Sequence, residues 1–473
     1  MSTPLKAGRL LLLSIIGLCR SVSGQSSAGV SPERGTGFQP VLSTNTGRDA
    51  RATTTDAWDH DKLVTITNDP RLHLVMHEPV VVMTRKARQP FLFCSAQGTL
   101  LCQSQLGGDK PFHTKNKIVY PSLLGMAISR DGGATWARLI REKNHDDVEI
   151  EGGAVQCRDG TILMLDTYVV PGDKPDHGVG EVWKSRDDFR TWDGPHFVDF
   201  YLPTIQFTGS TDDFGRVHQA ARLHRSIIEM PNGDLLTTLY CRFASDTAPS
   251  AYIPSMLKSR TILVRSRDRG ATWAYLSTVA ADGAVGTEGF GEPVLARVAR
   301  GPHAGRLICL MRTGRDLYGA RSDDGGVTWG RPAPENFPGI DIRAADQWIH
   351  LFPDRQAKPN VPTDDMFGVI ADPELIQMQN GTLVCAIGVR IPGRRYVENW
   401  RAPENGDYLA FSCDGGDTWS HVVRFRSGQP TTHYMGVREI SPGVLYVVYD
   451  NNLWGHPGET MGFRLQAQRV DLP

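Results

Sequence analysis

Apolar residues in this chain fall in short runs such as Leu307-Ile-Cys-Leu-Met311, each introduced by a turn glycine, and a helical spacing is hardly visible anywhere. The runs follow Gln97-Gly98, Asp159-Gly160, Asn232-Gly233, Ala304-Gly305, Asn380-Gly381 and Pro442-Gly443, so six strands each begin after a hairpin turn. Successive glycines lie about 60 to 75 residues apart, which is the period of a repeat architecture. A polar octapeptide, Ser-x-Asp-x-x-x-Thr-Trp, follows each of the first five at Ser129–Trp136, Ser185–Trp192, Ser266–Trp273, Ser322–Trp329 and Ser412–Trp419. In such a unit the Asp bonds backbone N–H groups, glycines accept positive φ and the Trp folds back as an apolar plug. The repeating unit is therefore turn, strand, loop, strand, octapeptide turn, strand.

Six units predict an all-β, six-bladed β-propeller. The last unit has no octapeptide, but Met461–Val470 alternates like a strand, as does Lys62-Leu-Val-Thr-Ile-Thr67. These two are expected to close the ring within one blade and so remove an exposed sheet edge. Ahead of the propeller (61–473), Lys6 and Arg9 precede an apolar run from Leu10 to Cys19, then small residues to Gly24. That run is too short for a bilayer and fits a signal peptide over 1–24, which implies a secreted or periplasmic protein. Residues 25–60, rich in Ser, Thr, Gly and Arg, read as a disordered leader.

The chain has 473 residues and a formal net charge of −1, without a basic block, so neither nucleic acid nor an anionic membrane is an expected partner. Stable membrane insertion is not expected, and the protein reads as a monomer. Of eight cysteines, seven follow the leader, mostly inside apolar runs, and are read as buried thiols. Cys94 with Cys102 is the one pair with a bridge to test. No Cys/His spacing points to zinc, and neither metal nor cofactor is expected.

In a propeller the inner strand of each blade lines a central channel, and side chains from every blade meet at its mouth. Nine residues before the turn glycine stand Glu151, His224, Asp372 and Tyr434. Glu292 takes that place in the fourth unit if its longer turn is allowed for, and Glu78 in the first, since His77-Glu-Pro-Val matches Gly291-Glu-Pro-Val in form. Several carboxyl groups around one opening raise at least one pKa, as a glycosidic proton donor requires.

The octapeptide is the Asp-box of bacterial neuraminidases, and the chain resembles the sialidase superfamily of propellers. That resemblance implies a glycoside hydrolase acting on a terminal sugar of a glycan. It implies Tyr434 as nucleophile, Glu292 as its base, and Asp109, the sole Asp between the first hairpin and the first octapeptide, as acid/base. It further implies Arg312 as a substrate clamp, with Arg225 and Arg401 as further cations; Arg394 and Arg395 also precede the fifth octapeptide. Glu78, Glu151, His224 and Asp372 complete the expected substrate-binding ring. Sialidases open their first blade with Arg-Ile-Pro where this chain has His77-Glu78-Pro79, so sialic acid is one branch of the specificity rather than its centre. Two other readings fit the same scaffold. One is a non-catalytic propeller that binds a glycan or protein; the other is a polysaccharide lyase using His224, His433 and Tyr434.

Overall fold

The structure is a computed structural model and describes residues 41–43, 63–84, 87–106, 112–114, 117–119, 124–140, 153–207, 220–251, 255–343, 368–391, 404–452 and 463–472. The signal-peptide reading, and nearly all of the leader reading, lie outside these residues. Among them the regular elements are β-strands and no α-helix occurs. The strands form a propeller-like arrangement of four blade sheets together with a nine-stranded sheet that closes on itself.

The first blade sheet runs from the inner strand Arg88–Cys94 through Leu100–Gln105, Leu124–Ser129 and Ala137–Ile140 to Val41–Ser43. A second joins Gly291–Arg297, Leu307–Arg312, Leu317–Ser322 and Ala333–Pro334. A third runs Val369–Gln377, Leu383–Arg390, Gly406–Ser412, His421–Ser427 and Val64–Thr67, and a fourth runs Met435–Ser441, Val444–Asp450 and Arg464–Asp471. Val75–Met76 and Val80–Thr84 both pair with Arg464–Asp471. In the nine-stranded sheet, Asp193–Tyr201 pairs antiparallel with His177–Ser185 and parallel with Thr272–Ala280, which closes the circuit. Two antiparallel runs inside it, 154–201 and 221–280, repeat the hairpin-plus-octapeptide order of the other sheets.

The punctuation has a conformational cause. All six turn glycines have positive φ, from 76° at Gly443 to 108° at Gly305, where an L side chain would be strained. Each octapeptide locks itself in one way. In the fourth, Ser322 Oγ donates to Asp324 Oδ1 at 2.8 Å, the Thr328 N–H to the same oxygen at 2.9 Å, and Thr328 Oγ1 to Asp324 Oδ2 at 2.6 Å. The other four repeat the pattern at Asp131, Asp187, Asp268 and Asp414. The tryptophans then enter five separate apolar clusters: Trp136, Trp192, Trp273, Trp329 and Trp419 each pack in a different one. The core lies mostly between facing sheets. Ile308 and Leu310 of one blade, for example, share a cluster with Leu375, Leu383 and Val422 of the next.

Two expectations change. The N-terminal strand Val64–Thr67 pairs with His421–Ser427, one sheet earlier than expected, and the C-terminal strand is met instead by residues 75–84. Alternation alone identifies a strand but not its partner, and both segments alternate. Cys94 and Cys102 are free thiols: across their hairpin Cys94 faces Leu100 and Cys102 faces Leu92, so they sit two residues out of register. Burial pushes the Cys102 thiol far above its usual range and Cys157 to about 11, as expected of inert core cysteines.

Candidate functional site

Pairing within the inner hairpins breaks register at one end: between Arg88 and Phe91, Leu223 and Ile227, Gly291 and Val294, and Ala371 and Glu374. Inside these breaks Gln89, Arg225, Glu292 and Asp372 have φ of 50°, 41°, 40° and 55°. Gly153 (111°) and His433 (68°) stand just before the inner strands Ala154–Gln156 and Met435–Ser441. A bulge of this kind re-aims a side chain out of the normal alternation. Holding a residue other than glycine there costs on the order of 1 kcal/mol or more, a cost typical of functional sites.

The consequence is a cluster drawn from three sheets. Tyr434 Oη donates to Glu292 Oε1 at 3.0 Å, across 142 residues of sequence. Arg312, at the end of Leu307–Arg312, donates from Nη1 to Glu292 Oε2 at 2.7 Å and from Nη2 to Glu288 Oε1 at 3.1 Å. Its Nη1 also lies 3.6 Å from Asp372 Oδ1. Arg390, at the end of Leu383–Arg390, donates to Asp372 Oδ2 at 2.6 Å and to the Thr432 carbonyl at 2.9 Å. The Arg390 guanidinium carbon lies 5.8 Å from the centre of the Tyr434 ring, and the His224 ring meets that ring edge-on at 6.5 Å. The cluster is largely enclosed, and the side chains of Glu292 and Glu288 retain 17% exposure.

Three carboxyl groups thus face two guanidinium groups. Asp372 is fully buried, and burial, with Glu292 close by, pushes its carboxyl well above the usual range against the opposing pull of Arg390 and Arg312. Burial acts to raise Glu292 too, but Arg312, a hydrogen bond with Asp372 and nearby His224 outweigh it and hold this carboxyl well below its usual value. Asp372 Oδ1 is buried and accepts no hydrogen bond. Within the pair, Glu292 is thus favoured as the charged member and Asp372 as the protonated one. Burial and Arg390 also keep His433 neutral.

Of the residues expected at the site, Tyr434, Glu292, Arg312 and Asp372 come together, with His224 alongside. Arg225 does not serve as a free clamp. It is wholly enclosed, its Nη1 held by Glu374 Oε2 at 2.5 Å and by the Met435 carbonyl, its Nη2 by the Pro90 carbonyl at 3.2 Å, so it pins four sheets together. Glu78 is corrected more strongly. It is exposed, between Val75–Met76 and Val80–Thr84 on the outer side of the last sheet, and Gln89 holds the place it was expected to fill. The formal match of two Glu-Pro steps misled, because Glu78 precedes an outer strand and Glu292 sits in an inner bulge. Asp109, Glu151, Arg394, Arg395 and Arg401 lie outside the described residues. Sequence reasoning missed Glu288 and Arg390, and named His433 only for the lyase alternative. Arg390 had a signal, since it ends the second strand of its hairpin as Arg312 does; Glu288, in an irregular glycine-rich loop, had none. Among the described residues no group of three or more His, Cys, Asp or Glu is arranged to hold a metal.

No family model and no curated protein matches the chain. Solved structures do. A Dyadobacter fermentans protein of unknown function aligns with TM-score 0.56 at 18% identity, over 85% of this chain and 99% of its own. A Penicillium chrysogenum α-L-arabinanase complexed with arabinobiose aligns with TM-score 0.51 at 13% identity, over 84% and 98%. The GH93 α-L-arabinofuranosidase of Fusarium graminearum, also with arabinobiose, gives 0.51 at 14% identity over the same shares. At these identities the likeness is one of fold.

Proposed function

We propose that this chain is an exported glycoside hydrolase on a six-bladed propeller, two of whose blades are merged in the nine-stranded sheet. In this reading it removes a terminal sugar through Tyr434 and Glu292. The contact between Tyr434 Oη and Glu292 Oε1 carries the proposal: a neutral phenol is a weak nucleophile, and an ionised carboxylate at 3.0 Å is what activates it. As Oη attacks the anomeric carbon its proton passes to Glu292, the glycosidic oxygen leaves with a proton from an acid, and water later releases the sugar by the reverse steps. Asp109 is proposed as that acid and base. Asp372 keeps Glu292 ionised by donating to it.

Arg312 and Arg390 are already met by Glu288, Glu292 and Asp372, so the cluster has little spare positive charge for a carboxylate substrate. A neutral terminal sugar is favoured over sialic acid. The arabinose-active enzymes of similar fold support an arabinose-like substrate as the first to try. The Tyr434–Glu292 contact weighs against a propeller that merely binds. The test is a panel of aryl glycosides, including an α-L-arabinofuranoside and a sialoside, assayed with the native chain and Tyr434→Phe. Turnover of one neutral glycoside that the variant loses supports the reading; turnover that survives in the variant overturns the assignment of Tyr434.

A further inference from the structure

The strand Asp193–Tyr201 differs from the outer strands of the other sheets, and its difference points outward. It is nine residues long, paired by His177–Ser185 on one side and, in parallel, by Thr272–Ala280 on the other, and what sets it apart is the pair of large rings it exposes. Alternation sends Val198 and Phe200 into the core, 4% and 0% exposed, and leaves Phe197, Asp199 and Tyr201 on the opposite face. Phe197 is 73% exposed and Tyr201 55%, two of the few large apolar side chains so exposed among the described residues. With about 3.3 Å of rise per residue, their rings are spaced roughly 13 Å apart along a rigid strand.

The polar groups around them are held in place. His177, opposite Tyr201 in the register, stacks on its ring at 6.1 Å and 22°. Its Nδ1 bonds Asp173 Oδ1 at 2.5 Å and its Nε2 bonds Asp199 Oδ1 at 2.9 Å, so Asp199 stands fixed between the two aromatic positions. Glu181 lies opposite Phe197, and Ala274 opposite Tyr201 on the other neighbouring strand is small and exposed.

We infer that this face is a binding platform for a neutral polysaccharide chain, separate from the Tyr434 cluster. An exposed aromatic ring offers a π face to the C–H groups on the flat side of a sugar ring, and carboxylates beside it accept hydroxyl hydrogen bonds. The spacing needs a ligand several sugar units long, since one ring cannot reach both aromatics. Charge selects among partners. Asp173, Asp193, Asp199 and Glu181 outnumber Lys184, which lies opposite Asp193 in the register, and so disfavour nucleic acid, acidic glycans and anionic lipid. A second copy docked by twofold symmetry would set Asp199 against Asp199, and the apolar side chains are separated by carboxylates rather than forming one dry patch. The preorganised strand lowers the ordering cost of binding.

Choosing a glycan rests on the glycosidase reading, but binding and turnover are read separately, so either can fail alone. The test is affinity electrophoresis of the whole chain in gels containing linear arabinan, arabinoxylan, mixed-linkage β-glucan or, as the anionic control, polygalacturonate. The expected result is retardation by at least one neutral polymer, reduced about tenfold or more in affinity in the Phe197→Ala/Tyr201→Ala variant, with turnover of a small aryl glycoside unchanged. Both side chains are exposed, and an unchanged melting temperature confirms the variant's fold. Absence of retardation in every neutral gel, retardation that the variant retains, or a dimer in sedimentation that the variant dissolves overturns the inference.

Discussion

Asp324 and Asp372 are the same residue type in tight backbone geometry, one in an octapeptide turn on the outside, the other in a bulge at the inner end of a strand, and their carboxyl groups are driven in opposite directions. Hydrogen bonds from Thr328 and Ser322 pull Asp324 down to about 2 in full contact with water. Burial pushes Asp372 well above its usual range. The backbone tells the same story. Positive φ in the octapeptide turns is largely taken by glycine, as at Gly325 and Gly326, whereas Glu292, Asp372 and His433 hold it without that freedom. The outer turns mostly relieve their local demands, Asp188, Phe189 and Arg269 being the exceptions in φ, and the inner bulges retain strain and buried charge. Strain and strongly shifted carboxyls that persist within a rigid frame are features that cluster at functional sites, and they are why the proposed reaction is placed there.

If that contrast is real, the largest effect belongs to the inner cluster. Tyr434→Phe and Glu292→Gln are each expected to lower kcat by about a thousandfold, because nucleophile activation by a positioned base contributes on that order; Tyr434→Phe should leave the melting temperature close to native, and Glu292→Gln should lower it, since Arg312 loses a charged partner. Steady-state kinetics on the best aryl glycoside, with a melting curve for each variant, measures it. Loss of folding without loss of specific activity would make the cluster an ordinary ion-pair network.

Next is the buried ion pair of Arg225 with Glu374, both side chains 1% exposed, beside Arg438 at 2.9 Å from Glu374. Arg225→Met strands part of a buried charge network and is expected to cost about 3–5 kcal/mol in denaturant unfolding. On the outer turns, Arg130 paired to Asp188 at 3.1 Å is the control, and Arg130→Met is expected to cost under about 1 kcal/mol. Equal costs would erase the distinction between the two regions.

Asp407 sharpens it by pH. This fully buried carboxyl is raised to about 8 by burial, with Asp450 adding and Arg426 opposing. Its folded value lies above its unfolded one, so the folded state binds a proton that the unfolded chain has already released between about pH 4 and pH 8. Its contribution is complete below about pH 4 and is lost as pH rises toward 8. Thermal melts of the native chain and Asp407→Asn across that range should converge at low pH and separate upward, the native chain losing more. Parallel melts would remove Asp407 as the source.

The two regions also differ in how well they can be read from sequence. The outer turns are legible because each is built from residues within eight positions: glycine supplies the φ in all but the second, Ser, Asp and Thr bond one another, and Trp marks the return. The spacing gives the hairpin units, but not the joining of the second and third of them in one nine-stranded sheet. The inner site was legible only in part, since counting nine residues back from the turn glycine found Asp372 and Tyr434, reached Glu292 only once the longer fourth turn was allowed for, and landed on His224 where the bulge holds Arg225. A bulge adds a residue without leaving a pattern, so a count across it slips by one or two, and a slip of one turns a side chain to the other face. Glu78 failed for a different reason: which strand pairs with which is decided by contacts hundreds of residues apart, as between Val80–Thr84 and Arg464–Asp471.

The smallest expected effect is the one that best separates structure from chemistry. Asp324 lies in the turn between Leu317–Ser322 and Ala333–Pro334, and its hydrogen bonds run to its own octapeptide. Asp324→Ala removes the acceptor that orders Thr328 and Ser322, so the turn loosens and Trp329, which donates to Ser277 at 3.1 Å, is less firmly returned to its cluster. A lower melting temperature with unchanged kcat is expected, and the loss should shrink in acid. Asp324 has a folded value near 2, below its unfolded one, so what it contributes is present above about pH 4 and fades as pH falls toward 2. That is the reverse of the Asp407 profile. If Asp324→Ala instead abolished turnover with the melting temperature unmoved, the octapeptide turns would belong to the reaction, and the division between a self-satisfied exterior and a strained, reactive interior would fall.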